Sequence, residues 1–246
     1  MLLLVGLGNP GPRYAGNRHN VGFMAVEAMA RHHAFSPWRQ RFQSDAAEGQ
    51  FGGDKVLALK PMTYMNESGR AVGEALRFFK LGPEDVLVLH DELDLAPGKI
   101  KLKRGGGHAG HNGLRSIAQH IGPEFRRLRI GIGHPGDKER VLGHVLGDLS
   151  KGEQPLFEQL FDAMARHAVL LGENSEQADN AYTSKVMQDL APPKPKASAA
   201  NKGPAKAPSA DAPPEPTPAP REEQGALARA LKGALHRLSG DKQRDE

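Results

Sequence analysis

The sequence has no cysteine and few aromatic side chains. Its 246 residues include one Trp and three Tyr. Without cysteine, disulfides, cysteine metal ligands and a cysteine nucleophile are excluded. No apolar run is long enough to span a bilayer, and the opening MLLLVGLGNPG lacks the basic flank of a signal peptide. We therefore expect a cytoplasmic protein with no membrane partner.

A serine nucleophile of the common strand-to-helix type is also missing. The sequence contains no Gly-x-Ser-x-Gly motif, which places such a serine at the end of a buried strand. Together with the absence of cysteine, this argues against a mechanism that passes through a covalent acyl-enzyme. Any hydrolytic activity would then have to use water directly.

Aromatic residues stop at Tyr182, and the composition changes abruptly at Ala191. Residues 191–224 contain ten prolines and nine alanines, so this segment cannot bury enough apolar surface to offset its ordering entropy. Residues 225–246 place leucines and basic residues at helical spacing. The sequence thus predicts one domain over 1–190, a disordered Pro/Ala-rich linker over 191–224 and a short basic amphipathic segment over 225–246.

Apolar runs alternate with amphipathic segments in the first 190 residues. Buried strands are predicted at 2–6, 55–59, 86–90 and 128–133, and a half-exposed strand at 100–104. Helices are predicted at 21–33, 66–81, 114–121, 153–171 and 175–188. This alternation is typical of an α/β domain with a mixed sheet, in which ligands bind at the carboxyl ends of the strands.

Positive charge is concentrated in one part of this domain. The net charge is +4, yet a single acid, Glu124, lies between Ala96 and Gly136 among eight basic residues. These are Lys99, Lys101, Lys103, Arg104, Arg115, Arg126, Arg127 and Arg129. They are either solvated faces of strands and helices or a surface for a phosphate backbone.

His19 and Asp91 are the candidate catalytic residues. His19 lies just before a predicted helix, and histidine is the commonest general base in enzymes because the pKa of an ordinary imidazole lies near neutrality. Asp91 follows a buried strand and can orient that imidazole. Three asparagines are further candidates: Asn9 and Asn112 lie beside glycine or proline, and Asn66 opens a predicted helix. They are either turn and cap residues or amides that line a polar cleft.

Two further patterns suggest other ligands. Gly6-Leu7-Gly8-Asn9-Pro10-Gly11 matches a dinucleotide fingerprint, but the prolines prevent a helix from starting within the glycines. His90, His108 and His111 could bind zinc with Asp91, although they do not form the helical His-Glu-x-x-His pattern. We therefore expect neither a cofactor nor a metal.

Six motifs in order resemble the bacterial peptidyl-tRNA hydrolase family and cover about residues 1–187. They are Val5–Gly11 with Tyr14, Arg18–Gly22, Lys60–Asn66, His90–Asp94, Gly105–Leu114 and Arg127–Gly133. The resemblance implies a monomeric enzyme with one α/β domain, which cleaves the ester between the peptide and the 3′ ribose of peptidyl-tRNA. No cofactor is implied, and the tail lies outside the resemblance.

The resemblance also gives individual residues roles. His19 matches the base that activates water, Asp91 the carboxylate that supports it, and Asn9 the residue that senses the blocked α-amino group. Substrate or tRNA contacts are implied for Tyr14, Tyr64, Asn66, Asn112, Lys103 and Arg129. Two alternatives stay open, a non-catalytic RNA-binding module and a metal-dependent hydrolase.

Overall fold

The fold is given by a computed structural model that describes residues 1–191. Seven strands form one sheet: β1 (Leu2–Gly6), β2 (Arg39–Arg41), β3 (Ser44–Phe51), β4 (Asp54–Pro61), β5 (Val86–Glu92), β6 (Ile100–Arg104) and β7 (Arg126–Gly131). Six α-helices accompany them: α1 (Val21–His32), α2 (Ser68–Phe79), α3 (Asn112–Ile121), α4 (Val141–Val145), α5 (Gln154–Arg166) and α6 (Glu176–Asp189). The predictions for the linker and the basic segment lie outside the described residues.

The sheet is mixed, with the strand order β2-β3-β4-β1-β5-β7-β6. Its four central strands, β4, β1, β5 and β7, run parallel, whereas β2, β3 and β6 pair antiparallel at the two edges. The carboxyl ends of the parallel strands therefore meet at one edge of the sheet. The predicted fold class, a mixed α/β sheet flanked by helices, is confirmed.

Helices cover both faces of this sheet. Successive residues of β1 alternate between two cores, since Leu2 and Leu4 pack with α1, α5 and α6, while Leu3 and Val5 pack with α2 and α3. A strand covered on both faces is apolar throughout rather than alternating, which explains the unbroken run LLLV. In the described range, no helix has the length and apolar character needed to cross a membrane.

The sequence-based assignment was incomplete at two places. It did not predict the β2–β3 hairpin, and it did not predict the short helix α4. The seventh strand begins at Arg126, two residues earlier than expected, and the helix expected over 153–171 ends at Arg166 before a 3-10 turn. Helix α4 contributes Val141, Leu142 and Val145 to the lining of a cleft.

Candidate active site

Close packing at the start of α1 brings His19 to the sheet. A Cβ on Gly22 would lie 2.4 Å from the Leu89 carbonyl oxygen and 2.5 Å from the Leu7 nitrogen, so only glycine permits this approach. His19 lies in the 3-10 turn Arg18–Asn20 immediately before α1. This turn is also held from the far side, where Arg18 donates to the Asp148 carbonyl at 2.8 Å.

His19 and His111 share one oxygen of Asp91. His19 Nδ1 lies 2.8 Å from Asp91 Oδ1, and His111 Nε2 lies 2.9 Å from the same atom. The Asp91 side chain is only 3% exposed and that of His19 is 12% exposed. Burial opposes the ionisation of Asp91, but the two histidines, His111 foremost, outweigh it and hold its pKa well below the ordinary value.

Backbone contacts determine which nitrogen of His111 carries the proton. His111 is the N-cap of α3, and its Nδ1 accepts hydrogen bonds from the Gly113 and Leu114 amides at 3.1 and 3.4 Å. The hydrogen of a neutral His111 is therefore on Nε2, which donates it to Asp91. From the sequence, His111 was expected only as a possible metal ligand, and its contact with Asp91 was not predicted.

His90 is the third histidine of the site and is fully buried. Its Nδ1 lies 2.8 Å from the Asp91 carbonyl oxygen, and its ring packs edge-on against His111. Burial, reinforced by His111, lowers the pKa of His90 to about 3. His90 is therefore neutral at physiological pH and supports the site by packing.

Asn9 is oriented by the backbone around it. The Met65 amide donates to Asn9 Oδ1 at 3.0 Å, which fixes that atom as the acceptor and leaves the Nδ2 amide group unbonded within residues 1–191. Asn20 holds the Asn9 backbone, because each of the two hydrogen bonds between them is 2.9 Å long. Asn9 thus presents a hydrogen-bond donor next to His19.

These residues line one cleft of about 700 Å³. Asn112, Lys103 and Arg129 from the predicted set line it as well. Arg129 Nε donates to Glu92 Oε2 at 2.7 Å, so part of its charge is neutralised, whereas Lys103 has no acidic partner within the described chain. Helix α4 also lines the cleft with Leu142, which is 68% exposed.

Three of the predicted contact residues lie outside this cleft. Tyr14 and Tyr64 line a neighbouring depression that also contains Pro10, the residue after Asn9. Tyr14 lies under the Arg13 guanidinium, which is 4.4 Å from its ring centroid, and Tyr64 is 64% exposed. Asn66 is exposed in the 3-10 turn Met65–Glu67, next to the residue that orients Asn9.

The basic run is not uniformly a surface for phosphates, which corrects that interpretation. Arg126 is 1% exposed and pairs with Asp179 of α6. Arg127 is buried and donates to the carbonyls of Gly107 and Gly106, each at 2.5 Å, so it fastens the glycine-rich loop. These two arginines are structural, and the exposed members Lys99, Lys101, Lys103, Arg104 and Arg115 carry the surface charge.

His19, Asp91 and His111 are also the group best placed to hold a metal ion. They offer three ligand atoms within 4.8 Å of one another in the part of the chain that is described. However, the atoms of the two histidines that face Asp91 are the ones that donate hydrogen bonds to it. The arrangement fits a hydrogen-bonded cluster better than a ligand set, and His90 and His108 lie outside it.

The parallel strand ends, the His–Asp contact and the cationic rim are features of α/β enzymes that act on anionic substrates through water. None of the residues that line the cleft is a serine, threonine or cysteine. The chain belongs to the peptidyl-tRNA hydrolase family, whose model matches residues 3–190. The resemblance inferred from the six motifs is thereby confirmed.

Individual relatives agree with this assignment. A peptidyl-tRNA hydrolase from Parvibaculum lavamentivorans is 62% identical over 193 residues, covering 78% of this chain and 93% of that protein. One from Rhodospirillum rubrum is 53% identical over 237 residues, covering 94% and 96%. The crystal structure of peptidyl-tRNA hydrolase from Acinetobacter baumannii superimposes with a TM-score of 0.71 at 48% identity, covering 75% of this chain and 95% of that one.

Proposed function

We propose that this protein hydrolyses the ester bond between the peptide and the 3′-terminal ribose of peptidyl-tRNA. The contact between His19 and Asp91 at the floor of a cationic cleft carries this proposal. Neutral His19 holds its hydrogen on Nδ1, towards Asp91, so its Nε2 can accept a proton from water. Membership in the family supports the same reaction.

The reaction proceeds by direct attack of water. His19 Nε2 removes a proton as the water oxygen bonds to the ester carbonyl carbon, and the carbonyl electrons move to its oxygen. The imidazolium that forms is stabilised by ionised Asp91. Collapse of the tetrahedral intermediate breaks the bond to the ribose oxygen, which takes the proton from the His19 imidazolium and leaves as the 3′ hydroxyl of the tRNA, so that His19 is neutral again.

Asn9 and Asn112 supply the polar contacts to the peptide end. The free Nδ2 group of Asn9 can donate to a carbonyl oxygen of the substrate, whereas it repels the ammonium group of an aminoacyl-tRNA. Asn112 Oδ1 accepts a hydrogen bond from Arg115 at 2.8 Å. The Nδ2 group of Asn112 is therefore the side of the amide that can donate to the substrate. Both can stabilise negative charge on the reacting carbonyl.

The rim of the cleft and the depression beside it bind the tRNA. Lys103 and Arg129 at the rim contact the phosphate backbone, and the neighbouring depression with Tyr14, Tyr64 and Asn66 receives the 3′ nucleotides. Residues 1–190 suffice for catalysis because the cleft and every matched motif lie within them. The protein acts as a monomer in the cytoplasm. The molecular mass of the full chain from equilibrium sedimentation tests whether it is monomeric.

The direct test is release of tRNA from purified peptidyl-tRNA, with and without EDTA. We expect ester cleavage at an unchanged rate in EDTA. Binding of tRNA without cleavage would support the alternative of an RNA-binding module. Loss of cleavage in EDTA, restored by a divalent cation, would support the metal-dependent alternative.

A further inference from the structure

We propose that His111 is a positioning residue that keeps His19 in its proton-accepting form. It does so by donating a second hydrogen bond to the carboxylate oxygen on which His19 depends. This inference rests on the proposed function, in which His19 is the general base. It assigns His111 a task separate from binding substrate or metal.

The first support is that the two histidines compete for one atom. Asp91 Oδ1 accepts from His111 Nε2 at 2.9 Å and from His19 Nδ1 at 2.8 Å, and the two imidazole rings lie 4.9 Å apart. A carboxylate oxygen that already accepts one strong hydrogen bond attracts a second donor less. The His111 contact therefore reduces the stabilisation that Asp91 gives to a protonated His19.

The second support is that His111 is locked in the donating form. Its Nδ1 faces the first amides of α3, and protonation there would break both hydrogen bonds and place a cation at the positive end of the helix. His111 is also nearly buried, with its side chain 9% exposed. These contacts keep His111 Nδ1 as an acceptor and direct the Nε2 hydrogen to Asp91.

Other charged and titratable groups surround this cluster without taking over the role. They are neutral His90 behind Asp91, Arg127 of β7, the Arg129–Glu92 pair, Lys103, His108 and Lys138 in the cleft lining, and His144 and the Arg18–Glu153 pair beside the turn that carries His19. Among the hydrogen bonds of residues 1–191, only His19 and His111 donate to the Asp91 carboxylate.

The consequence is a shift in the pH at which the enzyme loses activity. Without the His111 donor, Asp91 stabilises protonated His19 more strongly. His19 then becomes protonated at a higher pH, and the acid limb of the pH profile of kcat/KM moves upward. A hydrogen bond to a charged group is strong enough to move that limb by about one pH unit.

A matched pair of substitutions separates this role from helix capping. His111→Asn keeps an oxygen that can accept from the α3 amides, but its side chain is too short to donate to Asp91. His111→Gln places its amide nitrogen near the position of His111 Nε2 and can keep that donor. We expect the acid limb to rise by about one pH unit in His111→Asn and to stay near the wild-type position in His111→Gln. The kcat/KM of His111→Asn should approach the wild-type plateau at pH 8.

Folding and His19 titration are measured on the same full-length variants. Circular dichroism melting checks that each is folded, and the NMR shift of the His19 Cε1 proton follows its titration without any substrate. An unchanged His19 titration midpoint in folded His111→Asn overturns the inference, as does an equal upward shift in His111→Gln. A shifted midpoint with an unshifted pH profile supports the role of His111 and instead overturns His19 as the general base.

Discussion

The orientation of a single amide determines what Asn9 can recognise. Because the Met65 amide occupies Asn9 Oδ1, the group that Asn9 offers to the cleft is a donor. A peptide carbonyl can accept from it, but an ammonium group cannot. This arrangement gives a physical reason for preferring a blocked α-amino group.

Replacement of Asn9 by aspartate tests that preference. In Asn9→Asp one carboxylate oxygen can still accept from Met65, and the second offers negative charge where Nδ2 was. We expect slower cleavage of peptidyl-tRNA and a smaller ratio of its kcat/KM to that of aminoacyl-tRNA. Parallel assays on both substrates check this, and unchanged values for both would refute the assignment.

The lowered pKa of His90 leads to a prediction about how stability depends on pH. Its pKa is lowered to about 3, so below pH 6.5 the unfolded chain binds a proton that the folded protein does not. The free energy of unfolding should therefore fall by roughly 2 kcal/mol between pH 7 and pH 5 on account of His90 alone. The pKa of Asp91 is also lowered, and the stability that its ionised form contributes is lost only below about pH 4.

Urea unfolding at pH 7 and pH 5 measures this contribution. His90→Gln should lose less stability between the two pH values than the wild type, whatever its stability at pH 7. His32→Gln is the control, since His32 is exposed on α1 and should leave the pH dependence unchanged. An equal pH dependence in wild type and His90→Gln would show that His90 is not held neutral.

Contacts between individual side chains, such as that of His111 with Asp91, could not be predicted from the sequence. The motif order indicated His19, Asp91 and Asn9, and the structure brings all three to one cleft. The His111 contact depends on how a loop 20 residues further along the chain returns to the same strand end. A helix-capping histidine before Asn112-Gly113 was the one available signal, and it does not predict which group the ring's other nitrogen meets.

At the scale of elements, the basic run divides into structural and surface residues. β7 is a central strand whose residues alternate between the two faces, so Arg126 and Arg127 point into covered layers and need internal partners. Arg126 meets Asp179, and Arg127 meets loop carbonyls. Charge alone did not reveal this, because the sequence does not show that both faces of β7 are covered.

Lys103 is the member of the run that we expect to contribute most to tRNA binding. It is exposed at the cleft rim, while Arg129 shares its charge with Glu92. In Lys103→Ala the slope of log binding constant against log salt concentration should decrease by about one. Arg129→Ala should change that slope less.

Two comparisons make this prediction specific. Lys55→Ala removes the same charge from the start of β4, at the opposite end of the parallel strands, and should leave tRNA binding unchanged. Cleavage of a short peptidyl-nucleotide ester should be nearly normal in Lys103→Ala. Equal losses on the short ester and on peptidyl-tRNA would place Lys103 in the chemical site instead.

The β2–β3 hairpin and α4 escaped sequence-based assignment for different reasons. β3 reads SDAAEGQF and contains no β-branched residue, so only Phe51 at its end favours a strand. It forms because it pairs with β4 along its whole length. Helix α4 has only five residues, too few for a helical period to be visible.

At the largest scale, the last helix of the described residues packs into the same core as the strands that carry the cleft. Tyr182 of α6 is fully buried and donates to the Met164 carbonyl at 3.2 Å, which ties the last helix into the core. Leu190 also packs against this core. The Rhodospirillum rubrum relative aligns with 94% of this chain, so the alignment continues beyond residue 191.

Removal of the tail should leave the chemistry intact. A chain that ends after Ala191 retains Leu190 and Asp189, which accepts hydrogen bonds from Arg166 and His167, so it is a better choice than one that ends at Gln188. We expect its kcat for peptidyl-tRNA to equal that of the full chain. A folded but inactive shortened protein would contradict the prediction that residues 1–190 suffice.

In the proposed reaction, His19 activates the attacking water with the support of Asp91. The most direct measurement is turnover of peptidyl-tRNA by His19→Ala, alongside its affinity for tRNA. Loss of a positioned base predicts a decrease in kcat of roughly 10²–10⁴-fold with tRNA affinity largely unchanged. Asp91→Asn should lose less, because His19 remains. Near-normal turnover by a folded His19→Ala variant would contradict the account.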